Sequence, residues 1–169
     1  LRGWFRDRAE GLGLRLEQDR VGNLWAWWLP EEIAAPGDIR PGTAITCGSH
    51  LDSVPGGGRY DGPLGVVSAL VAVELLQETG WTPAQPLGIV CFSDEEGARF
   101  RIACFGSRVL TGVLSPERAL ACTDENGTPL ASALAAGGVS ATEYGPDPIL
   151  LARIRGHVEL HVEQGYALA

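Results

Sequence analysis

The chain of 169 residues contains no methionine and only three histidines, and its 13 basic residues are outnumbered by 21 acidic ones. The formal net charge of −8 argues against a nucleic-acid partner or an acidic membrane surface, because binding phosphate requires a basic surface. No apolar run approaches the ~18 residues that would cross a bilayer. We therefore expect neither nucleic acid nor membrane as a partner.

Paired cysteines are also missing. The chain has four cysteines and no CxxC motif. Cys47 and Cys91 lie inside apolar, strand-like runs, where a buried thiol acts as a small hydrophobic side chain. This pattern predicts structural cysteines and a reducing, cytoplasmic location. The absence of an initiator methionine and the ending soon after a strand-like segment predict that residues 1–169 are a piece of a longer protein, cut at both ends.

Glycine is abundant, at 23 residues, and it separates segments whose patterns predict an α/β domain. A helix is expected to end near Gly11 or Gly13, and a hairpin to follow over residues 14–28. The remaining predicted elements are strands over residues 43–48, 87–92 and 157–163, a helix over residues 64–79, and short helices within residues 104–140. Strands alternating with helices predict a largely parallel sheet.

Chemically active side chains follow three of the predicted strands. His50 follows the strand predicted over residues 43–48, and the acidic run Asp94-Glu95-Glu96 follows the strand over residues 87–92. His161 lies toward the end of the strand over residues 157–163. Ligand sites in such sheets lie outside the carboxyl ends of the strands. The alternation of residues 157–163 further predicts that His157, Glu159 and His161 share one face. On that interpretation Val158, Leu160 and Val162 point into the core.

The segment around His50 and Asp61 suits metal binding. The Asp52 carboxylate could accept the ring N–H of His50, which would fix the tautomer and leave the other nitrogen for a metal. Asp61 precedes the apolar helix, so it could be a metal ligand or only an N-cap. The three glycines of residues 56–58 could let the backbone pass close to an ion, or they could be a surface linker.

Crowded carboxylates complete the candidate site. The pKa of one or more of Asp94, Glu95 and Glu96 should be raised unless a cation is bound. A carboxylate with a tuned pKa could act as a general base. Histidines together with carboxylates form a ligand set for Zn²⁺, Mn²⁺ and similar ions. The simpler alternatives are that the acidic run forms a solvated turn and that residues 157–163 form an amphipathic edge strand with a wet polar face.

Three ordered motifs resemble one enzyme family. GSHLDSVPGGGRYDGPLG, FSDEEGARF and ELHVEQG are similar to signature segments of the N-carbamoyl-L-amino-acid hydrolases, allantoate amidohydrolases and β-ureidopropionases. These hydantoinase/carbamoylase-type amidases belong to the superfamily of di-metal aminoacylases and carboxypeptidases. The resemblance implies an α/β fold whose mostly parallel sheet is that of a zinc-peptidase-like catalytic domain, of which residues 1–169 would form a part.

The resemblance also implies residue roles. Two divalent ions (Zn²⁺, Mn²⁺, Co²⁺ or Ni²⁺) would be bound by His50, Asp61, Glu96 and His161, with Asp61 bridging them. Asp52 would orient His50, Glu95 would be the general base acting on the bridging water, and Gln164 would face the substrate. Peptidase relatives usually carry a carboxylate where His161 stands, so this histidine favours carbamoyl and ureido substrates. His157 matches no ligand position.

The chain is shorter than members of that family. By that resemblance, the part of the protein outside residues 1–169 would include the last histidine ligand of the second metal and a lid domain that carries substrate-binding residues and mediates homodimer formation. Asp94 and Pro63 stand where the family commonly has Asn and Ala. The resemblance therefore implies an enzyme that cleaves the C–N bond of a linear carbamoyl or ureido substrate, with this piece inactive alone. The alternatives are a di-metal aminopeptidase or deacylase, and an inactive metal-binding domain.

Overall fold

The computed structural model describes residues 1–162. The strands are β1 (Arg15–Gln18), β2 (Leu24–Trp28), β3 (Ala44–His50), β4 (Leu87–Phe92) and β5 (Ile154–Val158). The helices are α1 (Arg2–Gly11), α2 (Pro63–Glu78), α3 (Phe105–Leu110), α4 (Pro116–Leu120), α5 (Leu130–Ala136) and α6 (Pro148–Arg153), with a short 3₁₀ turn at Pro36–Asp38. No helix among the described residues is both long and apolar enough to cross a bilayer.

The five strands form one mixed sheet in the order β1-β2-β4-β3-β5. The predicted hairpin is the antiparallel pair β1–β2, and β2 continues antiparallel against β4. β3 runs parallel to both β4 and β5. The predicted α/β class with a parallel sheet is therefore confirmed for the central strands, while the first two strands extend that sheet in the antiparallel sense.

Alternating side chains give the sheet an apolar core on each face. From β2 and β4, Trp25, Trp27 and Val90 join the cluster that includes side chains of α3, α4, α5 and α6. Leu24, Ala26, Ile89 and Cys91 face the other way, against α1 and α2. The period of two in each strand thus builds three layers, with helices covering both faces of the sheet.

The carboxyl ends of the parallel strands meet at one edge, as predicted. His50 ends β3 opposite Phe92, the last residue of β4. The acidic run begins two residues after Phe92, and the segment that carries His161 follows β5 on the other side of β3. Strand order alone therefore gathers all three predicted segments around the end of β3.

The last strand was predicted in the wrong place. β5 spans Ile154–Val158 rather than residues 157–163, so His161 lies three residues beyond it. The expectation that Val158 and Leu160 are core residues is also wrong, since they are 67% and 51% exposed. Polar and apolar residues alternate on both sides of Val158, but ladder pairing with β3 stops at Cys47↔Val158. Where that pairing ends cannot be read from the alternation alone.

Candidate metal centre

His50 is fully buried at the end of β3, and the hydrogen bond of its Nδ1 fixes its orientation. Nδ1 lies 3.0 Å from the main-chain oxygen of Asp52. A carbonyl oxygen can only accept, so Nδ1 carries the proton in the neutral ring and Nε2 has a free lone pair. Nε2 makes no hydrogen bond to any described residue. A buried nitrogen in that state suits a metal ligand.

Asp52 connects His50 to the acidic loop in a way the sequence did not predict. Its carboxylate Oδ1 is 3.6 Å from His50 Nδ1, so the main-chain oxygen of Asp52 accepts the closer hydrogen bond. Its Oδ2 accepts a hydrogen bond of 3.0 Å from the Glu96 amide. Burial raises the pKa of Asp52, but the adjacent His50 ring and the hydrogen bonds from the Glu96 and Glu95 amides outweigh it, and the pKa is lowered.

Three of the four predicted metal ligands converge. Asp61 Oδ1 lies 3.7 Å from His50 Nε2 and 3.4 Å from His161 Nε2. The candidate ligand atoms of His50, Asp61 and His161 all lie within 4.8 Å of one another. Asp61 is not the N-cap of α2, because that position belongs to Gly62. The structure thus brings together residues that are 111 positions apart in the sequence (His50 and His161).

Gly62 packs directly on the His50 ring. Its φ is +78°, and a Cβ at this position would lie 2.5 Å from Nδ1 of His50. The glycines of residues 56–58 were predicted either to let the backbone pass close to an ion or to form a surface linker. The structure instead assigns the close contact to Gly62, where only a residue without a side chain leaves room for the buried imidazole.

Glu95 and Glu96 bring further negative charge to this edge. Glu95 Oε2 lies 3.4 Å from His50 Nε2. Burial raises the pKa of Glu96, and the charge of Asp61 raises it further. Burial also raises the pKa of Asp94. Burial, with the charge of a neighbouring carboxylate added at Glu96, therefore raises the pKa of two of the three carboxyl groups in the acidic run.

The two distances from Asp61 to the histidines fit a divalent cation. Ligand atoms held roughly 2.0–2.2 Å from one tetrahedral ion lie about 3.3–3.6 Å apart, close to the distances of 3.4 and 3.7 Å from Asp61 to the two histidines. Burial by itself lowers the pKa of His50, but Asp52 and Glu95 more than compensate and raise it to about 9. A site that holds a proton this firmly attracts positive charge, and a metal ion would take the place of that proton.

Cys104 contacts the acidic loop, a role that the sequence analysis did not foresee. Its Sγ lies 3.2 Å from Glu95 Oε1 and donates a hydrogen bond to that oxygen. The interpretation of the cysteines as purely structural therefore holds for buried Cys91 but is incomplete for Cys104. Cys104 lies in the left-handed region at φ 56°, before α3, and the flanking sequence gave no sign of this turn.

A buried network behind the hairpin turn supports the acidic loop. Asn23 is fully buried, and its side-chain oxygen accepts a hydrogen bond of 2.9 Å from the Ser93 amide. Ser93 Oγ donates to the main-chain oxygen of Gly22 at 2.7 Å. These bonds fix Ser93, the residue that precedes Asp94. They come from Gly22 and Asn23 in the hairpin turn, for which no role in the site was predicted.

His157 lies apart from the cluster of His50, Asp61 and His161. His157 lies on β5, where its Nδ1 is 3.0 Å from Thr46 Oγ1 and its ring packs edge-on against Phe92. That placement is consistent with the absence of an assigned ligand role. Gln164, predicted to face the substrate, lies outside the described residues.

Comparison with known proteins identifies relatives of two related activities. The chain is 40% identical over 157 residues to an N-carbamoyl-L-amino acid amidohydrolase of Geobacillus stearothermophilus, covering 92% of this chain and 36% of that protein. It is 37% identical over 167 residues to an allantoate amidohydrolase of Bacillus subtilis, covering 96% and 37%. The chain thus spans little more than a third of the length of these relatives.

A solved structure and a family model agree with these relatives. A hydantoinase/carbamoylase family amidase from Burkholderia ambifaria matches with a TM-score of 0.81 and 37% identity, over 99% of this chain and 38% of that one. The model of peptidase family M20/M25/M40 matches residues 46–168. That range contains His50, Asp61, the acidic loop and His161. The predicted resemblance is confirmed, and the chain belongs to peptidase family M20/M25/M40.

Proposed function

We propose that this chain is part of a binuclear metal-dependent amidohydrolase that cleaves the C–N bond of a linear carbamoyl or ureido substrate. The observation that carries the proposal is the convergence of His50, Asp61 and His161, with the Glu95 carboxylate next to His50. The named activities of the amidohydrolase relatives supply the substrate class.

The residues divide into ligands and a base. In this proposal His50, Asp61 and His161 would hold one divalent ion, and Asp61 and Glu96 would supply part of the ligand shell of a second. Bound ions of this kind make water more acidic and polarise a carbonyl. Glu95 holds the proton that the attacking water gives up and later passes it to the leaving nitrogen. Asp52 keeps His50 in the required orientation.

The substrate would be an N-carbamoyl-L-amino acid, N-carbamoyl-β-alanine or allantoate. All three present a planar ureido group with a carbonyl carbon as the point of attack. We further propose that the whole protein acts in the cytoplasm as a homodimer.

The test is ammonia release by the whole protein that carries this chain. The protein is stripped of metal, reloaded with Zn²⁺, Mn²⁺, Co²⁺ or Ni²⁺, and offered the three substrate classes. Glu95→Gln should lower the rate roughly 10²–10⁴-fold, the range expected for loss of a general base. Metal affinity, measured in parallel, should change far less.

Glu143→Gln is the matched control, since Glu143 is exposed and lies outside the metal cluster. It should leave the rate unchanged. If the reloaded protein releases no ammonia from any ureido substrate although it binds two ions, the carbamoyl proposal fails. Turnover of peptides or N-acyl amino acids would then favour an aminopeptidase or deacylase, and the absence of any turnover an inactive metal-binding domain.

A further inference from the structure

We propose that Glu159 is a positioning residue for His161, and that Ser49 and Gly65 form with it a clamp that delivers His161 to the metal cluster. This inference rests on the proposed function in one respect only, namely that His161 is a metal ligand. The clamp itself is a statement about where the chain runs after β5.

The first part of the clamp is a short hydrogen bond. Ser49 is fully buried next to His50, and its Oγ donates to Glu159 Oε1 at 2.5 Å. A hydroxyl bonded to a carboxylate is among the stronger hydrogen bonds in proteins. Glu159 lies two residues before His161, so this bond fixes the start of the segment directly against the end of β3.

The second part is a close approach to helix α2. A Cβ at Gly65 would lie 2.5 Å from the main-chain oxygen of Leu160 and 2.7 Å from Cβ of Ser49. The chain at Leu160 therefore passes over the first turn of α2 at a distance that excludes any side chain there. Gly65 is the residue that allows Ser49, Leu160 and the helix to meet.

These two contacts matter because other restraints on the segment are few. Pairing with β3 ends at Val158, so no ladder hydrogen bonds hold residues 159–161. The side chain of Leu160 is half exposed, and that of His161 is 45% exposed. Neither backbone pairing nor core packing fixes His161, yet its Nε2 lies 3.4 Å from Asp61. Among the described residues, the Ser49–Glu159 bond and the Gly65 contact hold the segment, in addition to the contacts of His161 itself with Asp61 and His50.

The clamp also explains why a glutamate, Glu159, stands two residues before His161. Glu159, predicted to share a face with His161, uses its carboxylate on Ser49 rather than at the metal cluster. Partners that orient a metal ligand typically contribute about 10–100-fold to metal affinity. Loss of Ser49, Glu159 or Gly65 should therefore weaken metal binding by about 10–100-fold, although none of the three would touch the ion.

The experiment uses this chain as it stands, with two readouts. The first, without metal, is the nuclear Overhauser contact between the ring protons of His50 and His161, whose ring centroids are 5.7 Å apart. The second is the affinity for Co²⁺ by titration. Ser49→Ala, Glu159→Ala and Gly65→Ala should each lose the ring contact and weaken Co²⁺ binding about 10-fold or more.

Glu159→Gln is the diagnostic variant. Its amide oxygen can still accept from Ser49, while the negative charge is lost as in Glu159→Ala. We expect Glu159→Gln to keep the ring contact. If Glu159→Gln loses the ring contact as Glu159→Ala does, or if Glu159→Ala keeps both the contact and the affinity, the positioning role is overturned.

Matched controls separate the clamp from general damage. Ser132→Ala and Gly3→Ala change an exposed serine and a helical glycine with open space around it, and both should leave the two readouts unchanged. Thermal unfolding of each variant checks that it folds. A wild-type chain that shows the ring contact but binds no Co²⁺ would refute the metal proposal, while loss of that contact in Ser49→Ala and Glu159→Ala would still support the clamp.

Discussion

Asp19 illustrates, at the scale of one residue, how the hairpin turn supports the candidate site. Its Oδ1 accepts from the amides of Val21 and Asn23 at 3.0 and 2.9 Å. Its Oδ2 accepts from Asn23 Nδ2 and Trp25 Nε1 at 2.8 and 3.0 Å. Asn23 in turn holds the Ser93 amide. One buried carboxylate therefore organises the turn that fixes the beginning of the acidic loop.

Asp19→Asn should lower the free energy of unfolding by about 2 kcal/mol. Burial raises the pKa of Asp19, so the neutral amide avoids a desolvation cost. However, whichever way the amide is turned, two of the four buried donors lose their acceptor, at roughly 1–3 kcal/mol for each unsatisfied group. Urea denaturation measures the change, with exposed Asp7→Asn as the control. Equal stability of the two variants would contradict this account.

Strand β3, at the scale of an element, depends on a glycine within its pairing with β4. Gly48 has φ +139°, and a Cβ there would collide with the main-chain oxygen of Val90 on β4. Glycine inside a strand often marks such a close approach of two backbones. Because His50 is two residues further along the same strand, this contact also fixes the height of the candidate metal centre above the sheet.

Gly48→Ala should destabilise the chain by about 3 kcal/mol or more, because overpacking costs roughly 1–3 kcal/mol and the strained backbone about 1–3 kcal/mol. The control is Gly156→Ala on neighbouring β5, where the nearest atom to an added Cβ is Ile45 Cδ1 at 3.9 Å. Urea midpoints of the two variants provide the comparison. A Gly48→Ala protein as stable as Gly156→Ala would show that the strands can separate without cost.

Elements differ in how far the sequence predicts them. The hairpin, β3, β4 and α2 were predicted within a few residues, because each has a clear apolar period between turn residues. β5 was misplaced because alternation continues past Val158, while pairing with β3 stops there. The short helix α6 was not predicted at all. It begins where the Asp147 side chain accepts a hydrogen bond of 3.0 Å from the Leu150 amide. The pair Asp147-Pro148 is a typical start of a helix, with an N-cap followed by proline.

The candidate centre, at the scale of the whole molecule, joins β3, the segment preceding α2, and the segment that follows β5. A metal ion that binds only the folded chain stabilises it, by about 2.7 kcal/mol when the free ion is at 100 times its dissociation constant. Zn²⁺ or Mn²⁺ should therefore raise the midpoint of thermal unfolding of this chain, and a chelator should reverse the rise. Calorimetry at several metal concentrations measures this.

His161→Ala should abolish most of that metal-dependent rise, since it removes one of the three clustered ligands. His157→Ala is the matched histidine control, because His157 bonds Thr46 and lies outside the cluster, and it should retain the rise. If His157→Ala and His161→Ala respond to metal alike, the cluster is not where the stabilising ion binds.

The class of fold, the apolar faces of β2 and β4, and the residue types that could bind a metal can all be predicted from the amino-acid sequence. These follow from period, turn residues and ligand chemistry, all of which are local. The packing of Gly62 on His50, the contact of Cys104 with Glu95 and the hydrogen bond from Ser49 to Glu159 appear only once the chain is folded. Such contacts join segments brought together by strand order and register, and no local pattern in the chain records the distance between them.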